Sequence, residues 1–159
     1  MFIAVVGAGA DSCNAQVAQI AELVGREIAK AGAVLVCGGL GGVMEAACRG
    51  ASQHGGLTIG ILPTNNRDGA NPYVQVAIAT GLGEARNALI ARTSDAVIAI
   101  GGEFGTLSEI GLALKMNKPV VGIETWELAK GGQPSSAIHR AGTAEEALKT
   151  AISLARSNQ

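Results

Sequence analysis

Short apolar runs that alternate with segments of helical periodicity restrict the folds open to this chain more than any other feature. The runs are Phe2 to Val6, Ala33 to Cys37, Leu57 to Leu62, Val74 to Ile78, Ala96 to Ile100 and Val120 to Ile123. Each is almost continuously apolar, as expected of strands covered on both faces. Between Ala15 and Ala31, Val17, Ile20, Val24 and Ile28 fall on one side and Gln19, Glu22, Arg26 and Lys30 on the other. That spacing makes an amphipathic helix laid on a sheet. Further helices are expected over Val43 to Gln53, Glu84 to Thr93, Thr106 to Met116 and Ala144 to Ala155. Strand and helix in alternation define an α/β protein with a doubly wound, mostly parallel sheet and helices on both faces.

No linker, repeat or low-complexity segment divides the 159 residues, so a single domain spanning 1–159 is expected. Its core is built from Ala, Val, Ile and Leu, because only four aromatic side chains are present: Phe2, Tyr73, Phe104 and Trp126. The formal net charge is −1 and the basic residues are scattered, which removes the electrostatic footprint of a nucleic-acid partner. The N-terminal apolar run is short and lacks a basic lead, and no segment is long enough to span a bilayer. The expectation is a soluble cytoplasmic protein with neither nucleic acid nor membrane as partner. Cys13, Cys37 and Cys48 lack C-x-x-C spacing, and His54 and His139 are far apart, so neither a metal site nor a disulfide framework is expected. The cysteines read as small buried apolar residues.

Three of the strand ends carry glycine: GAGADS from Gly7 to Ser12, GGLGG from Gly38 to Gly42, and GGEFGT from Gly101 to Thr106. In an open parallel sheet, ligands bind outside the carboxyl ends of the strands. Glycine lets the backbone approach a ligand closely, and the helix that follows offers unpaired N–H groups and a positive dipole end to an anion. Gly7, Ser12, Gly38, Gly39, Gly41, Gly42, Gly102, Gly105 and Thr106 are therefore candidate phosphate-binding residues. The first loop has Ser12 where a dinucleotide fingerprint needs its third glycine, and Cys37-Gly38 follows the second strand in place of an acidic ribose ligand. NAD is thus disfavoured, and no G-x-x-x-x-G-K-[ST] is present. The long irregular stretch from Pro63 to Tyr73 is a surface loop and a candidate flap over a ligand.

Asp11, Glu45, Arg86 and Glu109 stand close to these strand ends. Thr106-Leu107-Ser108-Glu109 matches the capping box S/T-x-x-E, as does Thr143-Ala144-Glu145-Glu146 at the last helix. Spacing alone therefore leaves Glu109 either a helix cap or a catalytic group. Arg86 follows another glycine-bearing turn, and reads equally as a bidentate holder of phosphate or as a solvated surface residue.

The ordered series CGGLGGVMEAACRGA, GGLTIGILP, TGLGEARN and SDAVIAIGGEFGTLSEIGLALKMNKPVVGI resembles the Lonely-guy-like Rossmann superfamily, many of whose members carry the label "possible lysine decarboxylase". Within it the chain is most similar to the subgroup that includes the molybdenum-cofactor carrier proteins. The resemblance runs from about Phe2 to Ile123 and implies a Rossmann-like fold and homo-oligomers, dimers or tetramers, built on a dimer. It also implies two activities. Lonely-guy enzymes are phosphoribohydrolases that cleave the N-glycosidic bond of nucleoside 5′-monophosphates, and their motif P-G-G-x-G-T-x-x-E aligns with Gly101 to Glu109. Their catalytic glutamate then falls on Glu109 and their catalytic arginine on Arg86. Gly101 and Glu103 replace the Pro and second Gly of that motif, and Asn87 replaces a Lys. Glu103 brings a negative charge into a loop expected to receive phosphate. The carrier subgroup, by resemblance, binds the phosphate-bearing pterin of molybdenum cofactor without altering it.

The reading preferred is a binding protein for a phosphate-bearing small molecule, molybdenum cofactor or a nucleotide, with no cofactor required for its own action. A phosphoribohydrolase using Arg86 and Glu109 is the alternative.

Overall fold

A computed structural model describes residues 1–158. The elements run β1 (Phe2–Gly7), α1 (Ala15–Lys30), β2 (Val34–Cys37), α2 (Val43–Ser52), β3 (Thr58–Leu62) and β4 (Val76–Ala79). A 3₁₀ turn (Gly83–Arg86) then leads into α3 (Asn87–Thr93), β5 (Ala96–Ile100), α4 (Phe104–Lys115) and β6 (Val120–Ile123). A short hairpin of β7 (Ala129–Lys130) and β8 (Gln133–Pro134) precedes β9 (Ile138–Arg140) and α5 (Ala144–Ser157).

Seven strands form one sheet in the order β4-β3-β2-β1-β5-β6-β9, and every pairing in it is parallel. Side chains of successive strand residues point to opposite faces, so one apolar run supplies two cores. Ile3, Val5, Leu35, Ile98 and Ile100 join the core under α1, α2 and α5. Ala4, Val6, Val36, Val97 and Ala99 join the core under α3 and α4, where Ile90 and Ile110 pack. The continuous apolar runs of the central strands have their physical cause in this double burial; β4, at the sheet edge, corrects the expectation, with Val76 and Ile78 exposed. Among the described residues no helix is long and apolar enough to cross a membrane.

Several boundaries differ from the sequence-based expectation. The expected helix from Glu84 begins as a 3₁₀ turn, because Gly83 adopts φ 54° and the chain must turn before α3. The fourth strand starts at Val76, since Asn71 Oδ1 accepts from the Tyr73 amide and Thr58 Oγ1 from the Gln75 amide, holding the preceding residues in a turn. A seventh strand, β9, extends the sheet beyond β6 through three residues with no long apolar run to announce it. Cys37 and Cys48 are fully buried with their sulfurs 3.5 Å apart, and Cys13 is half-buried.

Contact between α1 and α2 depends on two glycines. A Cβ at Gly25 would lie 1.9 Å from the Ala47 carbonyl oxygen, and one at Gly50 would lie 2.0 Å from that of Glu22. Neither neighbour is a flexible side-chain end, so the helices would have to separate. Gly111 in α4 is the opposite case, exposed and with nothing within 4 Å of an added Cβ.

Gly50→Ala is expected to destabilise the protein by about 1–3 kcal/mol, the ordinary cost of overpacking. Gly111→Ala should stabilise it by about 0.5–1 kcal/mol through helix propensity. Urea unfolding of both variants beside the parent checks the pair, and equal effects would contradict the packing described.

Candidate functional site

Chain order reverses between β1 and β5, so the loops leaving these adjacent strands diverge and open a crevice at their carboxyl ends. Such a switch point is where open α/β sheets bind ligands. A cleft of about 450 Å³ occupies it. Gly7, Gly9, Asp11 and Ser12 line one wall, Glu103, Gly105, Thr106 and Glu109 the other, and Met44, Arg86 and Asn87 lie between them, so three carboxylates share the cleft with one guanidinium. A neighbouring cavity of about 460 Å³, the second lobe, shares Arg86, Asn87 and Gly105 with the cleft and is bounded by Leu40, Pro63, Glu84 and Phe104.

The loop after β1 is held against the start of α2. Val43 N–H donates to the Ala8 carbonyl at 2.9 Å, and Gly42, at φ 70°, comes so close that a Cβ would lie 2.4 Å from the same oxygen. A side chain at residue 42 would push the two loops apart. Asn71 donates through its amide to the Gly39 carbonyl at 2.8 Å and through Nδ2 to Leu40 at 2.9 Å. The Pro63 to Tyr73 loop is thereby tied to the loop after β2, and Pro63 is its contribution to the second lobe.

Helix N-termini leave unpaired N–H groups that a side chain commonly satisfies. Asn14 does so for α1, accepting from Val17 N at 2.9 Å, and Thr143 does so for α5, accepting from Glu146 N at 3.2 Å. The helices that open at the site differ, because neither α2, capped by Gly42, nor α4, capped by Glu103, has a side-chain cap hydrogen bond. Along α4 the first-turn amides have no side-chain acceptor, whereas in α2 the Val43 amide is already taken by the Ala8 carbonyl; both helices aim a positive dipole end at the site.

The expectation that Thr106 and Glu109 form a capping box is corrected by this geometry. Gly102 at φ 102° and the extended Glu103 end the loop early, so α4 starts at Phe104 and Glu109 falls in its second turn. Its carboxylate turns inward. Thr143 to Glu146 does follow the pattern, with the Glu146 carboxylate accepting from Gly142 N at 2.8 Å.

Arg86 is not a solvated surface residue, since only 7% of it is exposed. It fits because residue 38 is glycine: a Cβ there would lie 2.6 Å from one guanidinium nitrogen. Arg86 Nη1 donates to Asn87 Oδ1 at 2.7 Å and lies 3.6 Å from Glu109 Oε1, an ion-pair separation too long for a hydrogen bond. The buried Nε has no partner. An unsatisfied buried donor is costly and needs an explanation. Burial pulls the guanidinium below its usual value, opposed by Glu109 and Cys37. Burial likewise pushes the Glu109 carboxyl up to about 7, and the charge of Arg86 only partly offsets it.

Of the residues singled out from the sequence, Gly7, Asp11, Ser12, Arg86, Asn87, Glu103, Gly105, Thr106 and Glu109 line the cleft together, while Glu45 does not. Gly38, Gly39, Gly41, Gly42 and Gly102 line neither lobe and act as framework: Gly102 packs on Thr106, Gly39 on Leu62, and Gly41 on Ala10. Met44 and Gly9 are lining residues that sequence reasoning passed over. Met44 follows the helix start at Val43 directly, and that position was the available signal. A separate groove of about 750 Å³ lies between α1 and α5 among Glu27, Lys30, Lys149 and Arg156, away from the strand ends. Among the described residues no group of three His, Cys, Asp or Glu could hold a metal ion.

These features define an open parallel α/β protein with a cleft at the switch point. The chain belongs to the SLOG cluster4 family, whose model matches residues 1–153. An uncharacterized protein of Archaeoglobus fulgidus is 48% identical over 124 residues, 78% of this chain and 80% of that one. The molybdenum cofactor binding protein of the phototrophic bacterium Rippkaea orientalis superposes with a TM-score of 0.85 at 37% identity, over 96% of both chains. The molybdenum cofactor carrier protein of Chlamydomonas reinhardtii does so with a TM-score of 0.83 at 33% identity, over 96% of this chain and 97% of that one.

A carboxyl whose pKa is raised on folding stabilises the fold while protonated. That contribution is fully present below the usual value of 4.5 and is lost as pH rises through about 7. Glu109→Gln lacks this proton equilibrium. Raising the pH from 4.5 to 8 should therefore cost the parent up to roughly 3 kcal/mol more than it costs the variant, at 1.36 kcal/mol per pKa unit. Parallel stability–pH curves would contradict the buried placement of Glu109.

Proposed function

We propose that the protein binds a phosphate-bearing small molecule in the switch-point cleft, as a binding or carrier protein. The observation that carries this reading is the meeting in one cleft of the α4 N-terminus, which has no side-chain cap, the start of α2 at Met44, and the largely buried guanidinium of Arg86. A phosphate presents several acceptor oxygens to helix N-terminal amides and a negative charge to the guanidinium. Gly7, Ser12, Gly105 and Thr106 would border the anion, with Arg86 supplying the formal positive charge; the remaining glycines hold the loops in place.

The cargo favoured is molybdenum cofactor, with a nucleotide as the other candidate. Support comes from the similarity to the binding and carrier proteins of Rippkaea orientalis and Chlamydomonas reinhardtii, which spans nearly the whole of this chain. The donor set suits such a cargo at its phosphate. Assembly as a homo-oligomer based on a dimer, and a location in the cytoplasm, belong to the same proposal.

One observation favours a second reading, a nucleoside 5′-monophosphate phosphoribohydrolase. Glu109 lies in the cleft with a carboxyl titrating at about 7, beside Arg86. An ionised Glu109 could stabilise positive charge developing on a ribose or position a water, and Arg86 could orient the substrate. The two readings part at the transition state, where only an enzyme binds more tightly.

Mass spectrometry of small molecules released from the purified protein tests the reading directly, and a phosphorylated pterin or nucleotide is expected. Arg86→Gln should weaken binding of ribose 5-phosphate at least tenfold in calorimetric titration, as loss of a charged hydrogen bond implies. Unchanged affinity would overturn the proposed site. Release of free base from AMP that disappears in Glu109→Gln would instead establish the enzyme.

A further inference from the structure

Phe104 is the most exposed large apolar side chain of the described residues, at 76%. Nothing in the packing of α4 requires a phenyl group there, because the helix buries Thr106, Glu109, Ile110 and Ala113. Yet the ring is held in place. Trp126 stacks on it at a tilt, ring centroids 5.5 Å apart, and donates its indole N–H to the Glu103 carbonyl at 3.2 Å. Trp126 is itself half-buried against the core under α4. Two of the only four aromatic side chains thus meet at one rim of the site.

That rim borders the second lobe. Leu40 and Pro63 give it apolar walls, Glu84 stands beside them, and Arg86, Asn87 and Gly105 are shared with the cleft at the switch point. Phe104 precedes Gly105 directly, so a ligand whose phosphate sits by the α4 N-terminus lies one residue from the ring. An aromatic face beside a phosphate site suits a flat, π-bearing ring, since base–aromatic stacking tolerates any ring that presents a face.

Resting on the phosphate-binding reading above, we infer that Phe104, braced by Trp126, is a specificity-determining residue that stacks the planar heterocycle of the bound phosphate compound. The cleft at the switch point anchors the phosphate end, and the second lobe selects for a ring at the other. A sugar phosphate fills only the first lobe; a compound joining phosphate to a purine or pterin ring fills both.

The test uses AMP and ribose 5-phosphate, which differ by the ring, titrated calorimetrically into the intact protein and into Phe104→Ala, Phe104→Leu and Phe104→Tyr. Phe104→Ala should weaken AMP about tenfold while ribose 5-phosphate changes less than twofold. Phe104→Tyr should keep AMP affinity, and Phe104→Leu, which keeps apolar bulk without a π face, should behave like the alanine variant. Equal loss for both ligands, or no loss for AMP, would overturn the inference. So would a fall in the mass of the assembly on Phe104→Ala with AMP affinity unchanged, because a second copy of the chain would then cover the ring. If the parent protein binds ribose 5-phosphate and AMP equally, the stacking role fails and the phosphate site stands; if it binds neither, both fail together.

Discussion

Burying Arg86 is the constraint around which the site is arranged. A guanidinium with little solvent access must have space, acceptors and a compensating charge, and each comes from a different part of the chain. Gly38 leaves the space at the end of β2, Asn87 accepts from Nη1, and Glu109 on α4 brings the carboxylate. The compensation is incomplete, because Nε is unpartnered and the carboxylate sits at 3.6 Å with its own pKa raised. A fold optimised for stability alone would place an apolar group here; a site that receives an anion has a use for the surplus donor.

Much of the architecture is written in the sequence as a pattern of periods. The strands at Ala96–Ile100 and Val120–Ile123 and the helix starting at Ala15 lie where the apolar spacing puts them. Double burial of the central strands leaves a signal that no competing local preference disturbs. Elements whose boundaries depend on turns were less legible. The 3₁₀ turn before α3 and the early start of α4 are set by glycines at positive φ, and a glycine permits such a conformation without demanding it. Strand β9 joins the sheet through pairing with β6, a long-range fact that its own three residues do not carry.

The site was legible in outline and misread in one particular. Glycine-rich strand ends point to the carboxyl edge of the sheet, and Gly7, Ser12, Gly105 and Thr106 line the cleft that opens there. Thr106 and Glu109, however, fit a local motif at the correct spacing, and the motif did not form. Capping depends on where the helix begins, and Gly102 and Glu103 moved that point upstream. The shift matters chemically: in the second turn Glu109 faces Arg86 and the cleft, whereas a cap would have faced its own helix. Arg86 was ambiguous for a related reason, since burial of a charged residue is decided by what lies opposite it in space. Glu103, whose carbonyl accepts from Trp126, is exposed and lines the cleft, so its carboxylate stands beside the site proposed for phosphate.

The central claim is that the cleft between the loops after β1 and β5 is where a phosphate compound binds. At 15.9 kDa the chain suits amide-resolved NMR, and titration of a ¹⁵N-labelled sample with ribose 5-phosphate tests the claim at the residues concerned. The account predicts that amides of Gly9, Ser12, Gly105 and Thr106 shift most and saturate with one dissociation constant. Shifts centred instead on the α1–α5 groove around Lys30 and Lys149, or none at saturating ligand, would contradict it.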